Sequence, residues 1–347
     1  MWFEDLFGFT EQSPAQVQEN FSLEGTQLTS LTNNKSFDCG TLEIPSLDAL
    51  RITAAEITSD SRRRTTLTQI VDDVQNLHAA TENRNAMFQV ASQFNLLEMA
   101  APDAVPEDGV GIYEHDYTQG PACAIAAGAG TVFRNYLVPL KDQTGQSTSQ
   151  QIDCLSDIGK SLGNESQTLW QMQNGYALAS RTGLSIITKH LSELDTQALD
   201  SLRSRLRVGI MWNTEVTLTN SAQDSSSIPA KQPQSTKLVS QVYCSAVPVS
   251  YSSEPASAWE PFARLILEAT YEATFSAAVI NKARNGSNIL FLTMIGGGAF
   301  GNQPEWIIDA IRRALRLHEH SGLDVRMVSH RQTNPMLDSL ASEFSTR

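Results

Sequence analysis

Residues 288–302, NILFLTMIGGGAFGN, constrain this chain most: a short apolar run breaks into three glycines, then a fourth glycine and Asn302. Upstream, PFARLILEATYEATFSAAVINKARNG has helical periodicity and stops at Asn285-Gly286. Downstream, PEWIIDAIRRALRLHEHSG opens on Pro304, suited to a first helical turn, and DVRMVSH is a second strand-like run. Helix, strand, glycine loop, helix, strand predicts an α/β fold with a parallel sheet, because parallel strands need a crossover between them.

The glycine loop joins a strand's carboxyl end to the next helix's amino end. Unpaired N–H groups and the helix dipole favour an anion there, and glycines let it approach the backbone. Gly296, Gly298 and Gly301 match G-x-G-x-x-G, but a dinucleotide fold places that fingerprint in its first βαβ unit, with strands to follow. Here the loop lies in the last third of the 347 residues. A glycine turn that binds nothing is the plainer alternative.

The chain is long enough for a sizeable core, at 41% hydrophobic and 18% charged residues. Its net charge of -13, from 38 acidic and 25 basic side chains, argues against a surface that wraps nucleic acid or an anionic membrane. Any phosphate is expected to meet local backbone donors instead. Cys39, Cys123, Cys154 and Cys244 are scattered without a C-x-x-C pair, so neither a zinc cluster nor a disulfide framework is indicated, and no metal or cofactor is expected. The opening MWFEDLFGF carries acids where a signal peptide needs bases, and no run approaches the ~18 apolar residues of a membrane helix. A soluble, cytoplasmic or otherwise intracellular protein is the expectation.

An N-terminal extension is expected over 1–80, an α/β domain over 81–335 and a tail over 336–347. KSFDCGTLEI and LRITAAEI read as short strands, and the pattern around Leu67, Ile70, Val71 and Val74 as a helix leading to a strand at Met87–Val90. QGPACAIAAGAGTVFRNYL reads as a tightly packed helix with Pro121 in its first turn. QTGQSTSQQ and TNSAQDSSSIPAKQPQST are loops by composition, the second separating the strand-like LRVGIMWNTEVTL and KLVSQVYCSAVPV. MQNGYAL reads as a turn at Asn174-Gly175.

An apolar strand running into G-G-G-A-F-G-N and a proline-started helix resembles the phosphate-binding loop near the C-terminus of macrodomains, in particular the microbial poly(ADP-ribose) glycohydrolase branch. TKLVSQVYCSAVPV resembles that branch's preceding core strand, and MFQVASQFNLLE its first ligand-contacting strand and loop. The resemblance runs over roughly residues 85 to 330 and implies a three-layer α/β/α mixed sheet with an ADP-ribose cleft. Gly296, Gly297, Gly298, Ala299, Phe300, Gly301 and Asn302 would cradle the diphosphate, with Phe300 against the distal ribose. The family follows a glycine run with Gln-Glu-Glu. Here the matching region is PEDGVGIYEHDYTQGPACA, with no tandem glutamate, so the catalytic residue does not carry over.

That region packs Glu107, Asp108, Gly109, Glu114, His115, Asp116, Thr118 and Gln119 directly before a helix. Loops on a rigid sheet supply most catalytic groups, ribose hydroxyls suit carboxylates and amides, and glycosidic cleavage needs a carboxylate. Glu114 and Asp116 are the expected catalytic residues, with Glu98 and Asp108 next; Glu107, Asp108, Gly109 and Gln119 are expected to touch ligand. A solvated acidic loop is the structural alternative. Gln93, Asn95 and Glu98 lie just beyond a predicted strand, where they could reach adenine or ribose, although capping and loop hydrogen bonds explain them equally well. The expected function is hydrolysis of an ADP-ribosyl linkage on a protein, a nucleic acid or a small metabolite. A non-catalytic ADP-ribose reader is the second reading. A cysteine hydrolase is the third, since Gln119, Gly120 and Cys123 at a helix start resemble papain-like proteases, with the Gln–Cys spacing too short and no tryptophan after the cysteine.

Overall fold

The computed structural model describes residues 1–58, 63–218 and 236–344. Seven strands form one mixed sheet: β1 Thr41–Glu43, β2 Thr66–Val71, β3 Met87–Ala91, β4 Gly209–Glu215, β5 Leu238–Cys244, β6 Ile289–Leu292 and β7 Asp324–Ser329, in the order β1-β4-β5-β3-β6-β7-β2. The run β5-β3-β6-β7-β2 is parallel, and β4 and β1 extend it by antiparallel pairing. β3 and β5 are buried along nearly their whole length, as strands covered on both faces must be.

Alternation of side chains across the sheet identifies its two covers. On one face Gln89 donates to Thr274, 3.0 Å away, on the long helix Ala256–Asn285. On the other, Phe88 stacks on His78 at 3.7 Å, and Gln241 donates to the Cys123 carbonyl of the helix Gln119–Ala126. Helices Leu47–Thr58 and Pro304–Leu317 flank the long helix, completing an α/β/α sandwich. Among the described residues no helix is long and apolar enough to cross a membrane.

The division at residue 80 does not survive. β1, β2 and helix Leu47–Thr58 belong to the central layers, and helix Pro335–Phe344 packs on β2 instead of trailing as a tail. What stands apart is residues 1–40: two short helices and a three-stranded antiparallel sheet whose Phe3, Phe7, Val17 and Phe21 form a second core with Val110, Tyr113 and Val132. Two local expectations also change. LRITAAEI is helical, because Leu47, Leu50 and Ala54 fall at helical spacing on one buried side. Thr66–Val71 is an edge strand, and the helix begins only at Val74, after Asp73 accepts from the Gln75 amide as its N-cap. The turn at Asn174-Gly175 closes a hairpin, Trp170–Gln173 with Tyr176–Ala179. Nearly all of TNSAQDSSSIPAKQPQST lies outside the described residues.

Candidate active site

The carboxyl ends of β3, β5 and β6 open into one cleft of about 260 Å³. This is where an open parallel sheet presents its loops and helix amino ends together. One wall is the loop after β6. Tyr271, on the long helix, pins its start: the hydroxyl accepts from the Ile295 amide at 2.9 Å and donates to the Thr293 carbonyl at 2.7 Å. Asn302 closes its end, donating from the side chain to Val247 at 2.9 Å and from the backbone to Gly296 at 2.9 Å.

Within this frame the amides of Gly297, Gly301 and Asn302 are used internally, whereas among the described residues nothing accepts from those of Gly296, Gly298, Ala299 and Phe300. The same four residues line the cleft. The glycines differ in kind. Gly296 has φ +74°, and a Cβ there would lie 2.5 Å from that of Ala246, so the turn itself requires glycine. A Cβ at Gly298 would meet nothing within 4 Å, so the fold makes no demand on that position. Phe300, Tyr176 and Tyr251 form an aromatic group beside the loop, with centroids 5.1–5.7 Å apart.

The same cleft carries two acids, Glu98 and Asp116. Glu98 lines the cleft yet is almost fully buried, paired at 3.2 Å with Arg134, whose guanidinium lies 3.6 Å over the Tyr243 ring. Its amide donates to the Tyr113 hydroxyl at 3.1 Å. Burial pushes the Glu98 carboxyl up to about 7, against the opposing pull of Arg134. Space for it comes from Gly120: a Cβ there would lie 2.0 Å from the Ala91 carbonyl oxygen and 3.2 Å from Glu98 Cγ, so only glycine lets this helix start press on the end of β3 with Glu98 alongside. Gln93 holds the same loop, accepting from the Met99 amide at 2.6 Å and donating to the Met99 carbonyl at 2.9 Å.

Of the residues expected from sequence, Gln93, Asp116, Gln119, Gly296, Gly298, Ala299 and Phe300 come together around the cleft. The others face elsewhere. Glu114 accepts from the Trp2 amide at 3.0 Å, Glu107 from the Thr148 amide and hydroxyl, and Asp108 from the Val105 amide. Gly109 packs against Glu11, Asn95 joins Gln151 and the Leu97 amide, and Gly297, Gly301 and Asn302 shape the glycine loop from behind. Asp116 is the acid of the 105–118 loop that reaches the cleft, its carboxylate accepting the Thr118 amide at 2.9 Å. Gln119 lines the cleft with its amide already committed to Ala91, Gln89 and Cys123. Tyr176 and Tyr251 were not foreseen; the Asn-Gly turn before Tyr176 explained that stretch structurally.

Cys123 is fully buried, and desolvation first, then the nearby Glu98 charge, raises its thiol well above the ordinary range. A thiolate nucleophile needs the opposite surroundings. Cys123→Ala should therefore keep any hydrolase activity within about threefold, and iodoacetamide should label the native thiol slowly. Rapid labelling with complete loss of turnover would reinstate the cysteine-hydrolase reading. Among the described residues no three His, Cys, Asp or Glu side chains gather in a way that could hold a metal ion.

A three-layer α/β sandwich with free backbone donors and two acids at its strand ends thus defines the class of this protein. No family model and no curated protein matches the sequence. Among solved structures it is similar to poly(ADP-ribose) glycohydrolase from Deinococcus radiodurans, a mutant in complex with ADP-ribose, at 10% identity and TM-score 0.45, covering 88% of this chain and 94% of that one. It is also similar to the glycohydrolase from Thermomonospora curvata, at 11% identity and TM-score 0.44, covering 95% and 97%. The Thermomonospora enzyme bound to the inhibitor ADP-HPD gives 11% identity and TM-score 0.43. What the cleft of this chain binds rests on its own residues.

Proposed function

We propose that this protein hydrolyses an ADP-ribosyl linkage. The observation that carries the reading is the meeting, in one cleft, of a hydrogen-bonded loop with four uncommitted amides and two acids in unlike surroundings. A diphosphate fits the first, since backbone amides at a helix amino end bind anions without bringing a cation into an acidic protein. A glycosidic carbon fits the second. Glu98, whose carboxyl holds its proton to about neutral pH, donates it to the departing oxygen as the C–O bond breaks, while the more accessible Asp116 carboxylate stabilises positive charge on the ribose and takes a proton from the attacking water. Phe300, Tyr176 and Tyr251 supply the apolar surface a sugar or base ring packs against.

The test is release of free ADP-ribose from ADP-ribosylated protein, nucleic-acid ends and small O-linked conjugates. Asp116→Asn should lower that rate by roughly 10²–10⁴-fold with little change in affinity for ADP-ribose, because a carboxylate acting on water contributes chiefly in the transition state. Tight ADP-ribose binding by a wild-type protein that releases nothing from any substrate would make it a reader instead.

A further inference from the structure

We propose that Glu11, far from the cleft in sequence, is a positioning residue for its acids: by gripping the amides of Val110 and Gly111 it sets the turn that brings Tyr113 to Glu98 and Asp116 to the cleft. This rests on the hydrolase reading above. The Glu11 carboxylate accepts from the Val110 amide at 2.9 Å, the Gly111 amide at 2.7 Å and the Tyr136 hydroxyl. The turn is shaped to receive it. Gly109 has φ +89°, and Cβ atoms at Gly109 and Gly111 would lie 2.5 and 2.7 Å from the Glu11 Oε2. Successive backbone amides converging on an anion are a strong grip, and here the anion is a side chain of the protein itself. Burial, then Glu11 itself, raises the Tyr136 hydroxyl above its usual range, so the phenol stays a donor. Trp2 adds a second tie, its indole donating to the Val110 carbonyl at 3.2 Å and its amide to Glu114 at 3.0 Å.

The gripped turn runs directly into the chemistry. Val110 and Gly111 open the short helical turn Gly111–His115, which carries Tyr113 to within 3.1 Å of the Glu98 amide and ends beside Asp116. Among the described residues no hydrogen bond or ring contact ties residues 1–11 to the glycine loop, whereas Glu11 and Trp2 hold the turn that leads to the acids.

Glu11→Gln separates these effects, since it keeps the shape and one acceptor oxygen but loses the charge that holds two amides and a hydroxyl. In the folded variant kcat should fall roughly 10- to 100-fold, as misplacement of reacting groups by about an ångström does. The Kd for ADP-ribose should stay within about twofold. Amide exchange should quicken over residues 109–116 and stay unchanged over 293–302. Gly111→Ala, whose methyl displaces the carboxylate from the other side, should give the same split. Unchanged kcat with quickened exchange, or kcat and Kd worsening together, would overturn the proposal. If the wild type releases no ADP-ribose, the hydrolase reading fails by that result. Exchange then decides the grip: quickening confined to 109–116 supports it, and no change refutes it.

Discussion

Glu98→Gln should reduce release of ADP-ribose by roughly 10²–10⁴-fold while leaving affinity for ADP-ribose within a few fold. The amide keeps the volume of the side chain and an oxygen for Arg134, so loss of the proton is separated from loss of the fold. Glu98→Ala would confuse the two, because it strands the fully buried Arg134 charge at a cost of about 3–5 kcal/mol. The wild-type rate should fall as pH rises through about 7, where Glu98 loses its proton, and Glu98→Gln should abolish that limb. Stability should move with it. A carboxyl whose folded value lies above the ordinary 4.5 binds more protons folded than unfolded, so its contribution is fully present below 4.5 and is lost as pH rises through about 7. The melting temperature should decline across that window, and less so in Glu98→Gln. Full turnover in the folded variant would move the acid elsewhere.

Gly298→Val should lower affinity for ADP-ribose by roughly 100-fold with no change in melting temperature. The added side chain meets no protein atom within 4 Å and φ is not in the left-handed region, so the fold has no reason to object. Its branches occupy the side of the loop from which an anion approaches the amides of Gly298 and Ala299. Losing two hydrogen bonds to a charged group, at about 1.5–3 kcal/mol each, accounts for that loss or more. Gly296→Val makes the control: it violates φ +74° and strikes Ala246, so it should destabilise the protein whatever the cleft binds. Calorimetry showing equal affinity in folded Gly298→Val would remove the anion cradle.

The features written in adjacent residues were legible without coordinates. The strand from Ile289, the glycine loop and the helix from Pro304 are each encoded locally, and the three layers follow from their order. Leu67–Val71 misled because β-branched and apolar residues there satisfy a helical and an extended spacing alike; pairing with β7, remote in sequence, decides. The acids show the same limit more sharply. Composition makes Glu107, Asp108, Glu114 and Asp116 equivalent, and their separation comes from Thr148, Val105 and Trp2, which claim the first three. Glu98 is an acid poised near neutrality because burial, in the space that the missing side chain of Gly120 leaves, raises its carboxyl against the opposing pull of Arg134 and Tyr113. No spacing along the chain announces that arrangement.

Calorimetric titration of the wild-type protein with free ADP-ribose is the most direct test. Uncommitted amides on a loop that lines one cleft with two acids predict saturable binding at one site per chain, competed by ADP and weakened in Gly298→Val. A folded protein that gives no binding heat, and no thermal shift at millimolar ADP-ribose, would contradict both the cradle and the hydrolase built on it.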